Sequence, residues 1–238
     1  MKAMIFAAGV GSRLKPFTDK HPKALAPVNG KPLLQRTVEY LKQYGISELV
    51  INVHHFAAQI TEFMDQHQNF GCSVQFSDES EELLETGGGL KKAALLLESD
   101  KPIVVINADI LTNLNLSSLI RYHESAQSLV TLAVTNRSSS RNFLFDENNL
   151  LGGWTNNQTG ELILKRNMPA PVSKAFSGIH VISPELFKLI RQTGKFSVVD
   201  TYLDLCSTHK IIGFDHSEDL FIDVGKPEAL EKASTLFP

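Results

Sequence analysis

Along the first half of the chain, short runs of β-branched and aliphatic residues alternate with longer stretches whose apolar positions recur at helical spacing. The short runs are KAMIFAA from residue 2, ELVINV from 48, CSVQFS from 72, PIVVIN from 102 and LVTLAV from 129, and the helical patterns cover residues 33–44, 56–67, 88–98 and 116–126. Ile103 to Ile106 is apolar at every position, as a strand covered on both faces requires. Alternating units of this kind, joined by right-handed crossovers, predict a three-layer α/β/α, Rossmann-like open mixed sheet with mainly parallel strands.

The texture changes between about residues 136 and 175. FLFDENNLLGGWTNNQTGELIL consists of strand-length pieces separated by Asn/Gly turns, which predicts a β-hairpin extension near residues 140–175 instead of another crossover. After it come a strand at FSGIHVI, a helix near 197–207, two short strands at KIIGF and DLFIDV, and a closing helix from Pro227 to about Leu236, with the proline where a first turn tolerates it. No repeat or low-complexity linker divides the chain, so residues 1–238 are read as a single domain.

With 238 residues and 42% hydrophobic side chains, the chain can bury a sizeable core. A formal net charge of −3 argues against a nucleic-acid partner, so any anion binding must be local. Cys72 and Cys206 lie far apart with no CxxC or Cys/His cluster and read as buried, reduced thiols. MKAMIFAAG is too short for a secretory signal, and no segment approaches the roughly 20 apolar residues of a bilayer span. These features predict a soluble cytoplasmic protein with no membrane partner, a monomer or small homo-oligomer.

Local anion binding has an obvious seat. Between Gly9 and Lys31 stand five cations, Arg13, Lys15, Lys20, Lys23 and Lys31, against the single acid Asp19, and Pro16, Pro22, Pro27 and Pro32 rule out a continuous helix there. The stretch is expected to be a long, stiff, ordered loop. Gly9 and Gly11 permit a turn whose N–H groups form an anion-binding concavity, and Arg13 and Lys23 can neutralise a polyphosphate. A dinucleotide fingerprint fails because Leu14 stands where its third glycine belongs, and a Walker A loop fails because Pro32 follows Gly30-Lys31.

Two carboxylates answer the cations. Asp109 follows the apolar strand IVVIN and Asp223 lies in FIDVG, each at the end of a strand, where open α/β sheets bind ligands. Taken singly, each also reads as a turn residue or helix cap. Together they can supply the one or two carboxylates that Mg²⁺ takes alongside phosphate oxygens and water. ETGGGLKKAALLL reads either as a helix capped by Thr86 with a flexible start or as a place where Gly87 and Gly88 let a nucleobase approach, its edge read by Glu85 or by main-chain groups. Asn107 is a turn former or a donor to a sugar hydroxyl, and Ser177-Gly178 a strand start, a bulge or a substrate contact. His54 and His55 read as surface or wall residues, Trp154 as hairpin core or, alternatively, a sugar platform, and Lys165, Arg166 and Lys174 as solvated flap cations that alternatively meet a substrate carboxylate or phosphate.

The segment AAGVGSRLKPFTDKHPKALAPVNGKPLL resembles the signature of the sugar nucleotidyltransferases, AAGxGxR then PxT then PKxxxPVxxKP. The likeness extends over the whole chain and is nearest to the short bacterial N-acetylmuramate-1-phosphate uridylyltransferases of cell-wall recycling. The resemblance implies an enzyme that joins a nucleoside triphosphate to a sugar 1-phosphate with Mg²⁺ as cofactor. It implies that Ala8, Gly9, Gly11, Ser12, Arg13 and Lys23 hold the triphosphate, and Glu85, Gly87 and Gly88 the base and ribose. On the same basis Asn107, Ser177, Gly178 and Asp223 meet the acceptor, Asp109 and Asp223 hold the metal, and Arg13, Lys23 and Asp109 carry catalysis. One departure is Ala108, where the family commonly has glycine, so an ordinary backbone φ is expected there. The Glu-Lys-Pro segment that many hexose-1-phosphate enzymes carry is missing from LILKRNMPAPVSKAF, which points away from glucose- or mannose-type enzymes and toward the muramate-like group, for which the resemblance implies UTP with N-acetylmuramate 1-phosphate. The alternatives are a mannose-1-phosphate guanylyltransferase, a cytidylyltransferase acting on a small phosphate, and a catalytically silent nucleotide-binding sensor.

Overall fold

The computed structural model describes residues 1–238. Its first half comprises β1 (Lys2–Phe6), β2 (Pro27–Val28), β3 (Lys31–Pro32), α1 (Leu33–Gln43), β4 (Glu48–Val53), α2 (Ala57–Gln66), β5 (Ser73–Asp78), α3 (Glu85–Lys92), β6 (Ile103–Asn107), β7 (Ile110–Thr112), α4 (Leu116–Ala126) and β8 (Val130–Thr135). There follow β9 (Arg141–Phe145), β10 (Leu151–Asn156), β11 (Glu161–Leu164), β12 (Val172–Ile182), α5 (Leu186–Leu189), α6 (Val198–Leu205), β13 (Ile211–Asp215), β14 (Phe221–Asp223) and α7 (Pro227–Leu236).

A ten-stranded sheet runs β11-β10-β9-β12-β6-β1-β4-β5, with β8 also paired to β12 and β13 to β8. β1 lies parallel to both β4 and β6, β4 parallel to β5, and β13 parallel to β8, whereas β12 runs antiparallel to β6 and β8. This is the mixed, Rossmann-like α/β/α sheet that the alternation predicts. Successive residues of a strand point to opposite faces, so Ala3 and Ile5 enter one core with α1, α2 and α4, while Met4 enters the other with α3 and α6. The unbroken apolar runs follow from that double covering.

The hairpin extension forms as β9, β10 and β11, with Trp154 packed against the second core. Four details differ from expectation. The proline-rich stretch is not wholly irregular: one-turn 3₁₀ helices occupy Ser12–Leu14, Phe17–Asp19 and Lys23–Leu25, short enough for the prolines to sit between them. The third helix begins at Glu85, not near residue 88, because its glycines are packed inside it. Thr86 is not its cap: the N-cap position is Leu84, and the Thr86 hydroxyl instead accepts from the Val198 N–H across the fold. Cys72 is only half-buried, since it lies where the chain enters the edge strand β5, while Cys206 is buried; both are free thiols.

A smaller core fixes the loop. Leu14, Ala26, Val28 and Leu33 pack with Leu111 of β7, Ile222 and Val224 around β14, and Ala233 of α7. The ribbon formed by β7 and β14 is thereby held against the cationic segment.

Candidate active site

The strand ends on the carboxyl side of the sheet define the site. Ala108 has no positive φ, as expected for a residue with a Cβ, and its N–H continues the ladder by donating to the Phe6 carbonyl at 3.0 Å. Asp109 therefore emerges straight from β6 into β7. β7 and β14 pair antiparallel, Asp223 opposite Ile110, and the Val224 N–H donates to the Asp109 carbonyl at 2.9 Å. Two aspartates separated by more than a hundred residues of sequence thus become neighbours across one ladder.

Cations close the arrangement. The Lys23 ammonium contacts Asp109 Oδ2 directly, while Asp109 Oδ1 is buried with no hydrogen-bond partner. Arg13 lies beside Gly225, a Cβ at Gly225 standing 3.3 Å from its Nη2, and its charge acts on Asp223. Asp223 is exposed as a whole residue, yet its carboxyl is crowded by protein. Loss of water and the neighbouring Asp109 charge push its pKa up, against the opposing pull of Lys23, Arg13 and Arg137. An orphaned carboxylate oxygen next to a carboxylate that is costly to ionise is what a divalent cation relieves. No group of three or more His, Cys, Asp or Glu forms a metal cluster. The pair nonetheless matches Mg²⁺, which commonly completes its shell with phosphate oxygens and water.

Gly11 sets Lys23 in place. Its φ is +66°, and a Cβ there would come within 2.7 Å of the Lys23 Cβ and 3.0 Å of Thr18 Cγ2, so the chain can fold over the lysine stem only with glycine. Thr18 Oγ1 donates to the Gly11 carbonyl at 3.0 Å and locks the turn. Ser12 and Arg13 are exposed on the short 3₁₀ turn that follows.

Beside the aspartates a cavity of about 310 Å³ is lined by residues that include Ala8, Gly9, Leu83, Glu85, Thr86, Asn107 and Asp109. Its floor is a network that sequence reasoning missed. Asn52 Oδ1, at the end of β4, accepts from the N–H groups of Ala7 at 2.7 Å and Ala8 at 3.3 Å, and Asn52 Nδ2 donates to Glu79 Oε1 at 2.7 Å. Glu79 Oε2 accepts from the Leu84 N–H at 3.0 Å. Asn52 and the fully buried Glu79 therefore tie the start of the loop to the turn before α3. A lone Asn inside ELVINV was the only signal.

Gly87 and Gly88 are not among the cavity lining. Their N–H groups both donate to the Phe196 carbonyl, and added Cβ atoms would strike the Phe196 ring and the Gly194 carbonyl, each at 2.4 Å. They anchor α3 to the 194–197 loop and so leave Glu85, with its left-handed φ of +60°, and Thr86 at the cavity wall.

On the other side of the aspartates, β12 shifts register between Phe176 and His180. This bulge carries Ser177 and Gly178. Gly178 has φ +71°, and a Cβ there would lie 2.7 Å from Asn107 Nδ2, so Asn107 and the bulge are in close contact. Ser177 Oγ is 2.7 Å from Nε2 of the buried His216. The flap cations lie elsewhere: Lys165 pairs with Asp204 at 3.6 Å, Arg166 Nε donates to the Cys206 carbonyl at 2.5 Å, and Lys174 pairs with Asp215. His54 is half-buried, His55 exposed, and neither lines the cavity.

A family model described as nucleotidyl transferase matches residues 2–237. The chain is 30% identical over 242 residues to the N-acetylmuramate alpha-1-phosphate uridylyltransferase of Neisseria meningitidis, covering 99% of this chain and 98% of that protein. It is 28% identical over 234 residues to the mannose-1-phosphate guanyltransferase of Pichia angusta, covering 96% of this chain but only 62% of that longer protein. Among solved structures, that of HddC from Yersinia pseudotuberculosis in complex with GMP-PN aligns with a TM-score of 0.79 at 24% identity, over 100% of this chain and 99% of the other, a likeness of fold. No helix is long and apolar enough to cross a membrane.

Proposed function

Because the chain belongs to the nucleotidyl transferase family, we propose that this enzyme joins UTP to N-acetylmuramate 1-phosphate, forming the nucleotide sugar and releasing pyrophosphate. The observation that carries the reading is the meeting of Asp109 and Asp223 across the β7–β14 ladder under Arg13 and Lys23. Mg²⁺, held by Asp109 and Asp223, would supply charge neutralisation and polarisation of the phosphate oxygens.

In this scheme an oxygen of the acceptor phosphate attacks the α-phosphorus in line, the bond to the β-phosphate oxygen breaks, and its electron pair leaves with pyrophosphate. The attacking phosphate is already ionised near neutral pH, so no side chain has to remove a proton. The chain's own part is alignment and electrostatics. The turn at Ala8, Gly9, Gly11 and Ser12 receives the triphosphate, and Arg13 and Lys23 offset its charge. Glu85 and Thr86 meet the base and ribose from the cavity wall, held there by Gly87 and Gly88. Asn107, from the cavity wall, and Asp223 face the acceptor. Ser177 and Gly178 are buried behind Asn107, with the Ser177 hydroxyl bonded to His216, and act by holding Asn107 in place instead of touching the acceptor. The choice of muramate and uridine draws support from the Neisseria relative, similar over nearly the full length of both chains, whereas the fungal guanyltransferase is much longer.

The test crosses the four nucleoside triphosphates with N-acetylmuramate, N-acetylglucosamine, mannose and choline phosphates, with pyrophosphate release measured with and without Mg²⁺. The expected result is Mg²⁺-dependent release, highest with UTP and N-acetylmuramate 1-phosphate. Exclusive use of GTP with mannose 1-phosphate, or of CTP with phosphocholine, would replace the substrate assignment. Absence of release with every pair would indicate a silent nucleotide-binding protein.

A further inference from the structure

On the acceptor side of the aspartates stands a cation that the reaction scheme leaves unused. Arg137 follows β8, and its Nη2 donates to the Phe176 carbonyl at 2.9 Å. Its Cζ lies 5.1 Å from the centroid of the Phe221 ring, a cation–π contact. Phe176 opens the β12 bulge that carries Ser177 and Gly178, and Phe221 begins the strand that ends in Asp223, so Arg137 bridges the two elements assigned to the acceptor.

The guanidinium is otherwise uncommitted. It takes part in none of the molecule's ion pairs, and beyond the bond to Phe176 the rest of its fork of donors has no protein partner. Its residue is open to solvent, while partial burial of the group lowers its pKa and the Asp223 charge opposes that shift. Of the flap cations, Lys165 and Lys174 are by contrast neutralised by Asp204 and Asp215, and Arg166 is bonded to the Cys206 carbonyl at the end of α6.

A phosphate at the centre already has Arg13 and Lys23. A second anion on the acceptor would approach Asp223 and be repelled by it unless a fixed cation stood between them. Arg137 has its Cζ over the Phe221 ring, interacts by charge with Asp223, and carries the planar fork that pairs bidentately with a carboxylate. We propose that Arg137 reads a carboxylate carried on the sugar of the acceptor, separate from its 1-phosphate, and so sets the enzyme's preference for a carboxylated over a neutral sugar. This rests on the reading of the acceptor as a sugar 1-phosphate.

The experiment compares wild type, Arg137→Gln and Arg137→Lys with two acceptors that differ by a lactyl carboxylate, N-acetylmuramate 1-phosphate and N-acetylglucosamine 1-phosphate, each with UTP and Mg²⁺. Losing one charge-assisted bidentate contact should reduce the ratio of kcat/KM values for the two acceptors at least about 10-fold in Arg137→Gln, mainly through KM for the muramate, with Arg137→Lys between. An equal loss on both acceptors would assign Arg137 to the phosphate or to the fold and overturn the proposal. A wild type that turns over both sugars without preference would also overturn it, while leaving nucleotidyl transfer intact. If no acceptor is turned over, the reaction reading fails, and calorimetric titration with N-acetylmuramate 1-phosphate decides Arg137 alone. Binding weakened at least about 10-fold in Arg137→Gln supports the contact, and absent or unchanged binding overturns it.

Discussion

Replacing Gly11 by alanine tests whether one backbone position controls the placement of the Lys23 ammonium against Asp109. At φ +66° an alanine bears the left-handed cost of about 1–2 kcal/mol. Its methyl carbon would also lie 2.7 Å from the Lys23 Cβ and 3.0 Å from Thr18 Cγ2, both well inside van der Waals contact, and overpacking of that kind typically costs about 1–3 kcal/mol. Together these give a destabilisation of about 2–5 kcal/mol, read by urea unfolding. The neighbours cannot yield without consequence: Thr18 is tied to the Gly11 carbonyl, and Lys23 begins a 3₁₀ turn and contacts Asp109. Relief must therefore move the lysine stem, and a misplacement on the order of 1 Å in such a site costs about 100-fold in turnover. Pyrophosphate release at saturating substrates measures that loss on protein shown to be folded. A folded Gly11→Ala variant with wild-type turnover would show that Lys23 is not positioned by this turn. Wild-type stability would show that the close approach is not real.

Two further outcomes follow from the charges. Asp223→Asn should lower turnover at least about 100-fold, the scale of one preorganised charge contact. It should also raise the melting temperature near pH 7.5, because Asp223 has a raised pKa and its ionised form is the unfavourable one in the ligand-free fold. That gain should disappear as the pH falls through the carboxylate range, where the wild type becomes protonated; a lower melting temperature for the variant at pH 7.5 would contradict the electrostatics. Acid should destabilise the whole fold early. Burial lowers His180 to about 3 and His123 to about 4, so each contributes stability above the usual histidine value of 6.5 that is lost as the pH falls below it, about 2 kcal/mol apiece by pH 5. Urea midpoints that stay level between pH 7 and 5, or that fall as steeply in His180→Phe, would refute this.

How much of this was legible beforehand depends on the range over which each residue acts. The sheet was readable because β-branched runs and helical spacing are local signals, and Ile103 to Ile106 announced its own double burial. Asp109, Asp223, Arg13 and Lys23 were readable one at a time, since each has a local mark: an acid at a strand end, or a cation in a proline-stiffened turn. Their meeting was implied by the family resemblance but carries no local mark of its own, because it is made by Leu14, Val28, Leu111 and Val224 packing into one small core whose members are scattered from end to end of the chain. Glycine was the least reliable sign. Gly11 and Gly87 look alike in sequence, and only the fold shows that one bends the chain over Lys23 while the other makes room for Phe196. Buried polar groups escaped notice for a related reason. Asn52 and Glu79 have no motif of their own, yet an unpaired amide or carboxylate at those depths is costly, so each has to be bonded to whatever the fold brings near. What the fold brings near is the first turn of the cationic loop and the turn before α3, and the polar atoms that satisfy the interior are thereby the ones that fix the two sides of the cavity at a set separation.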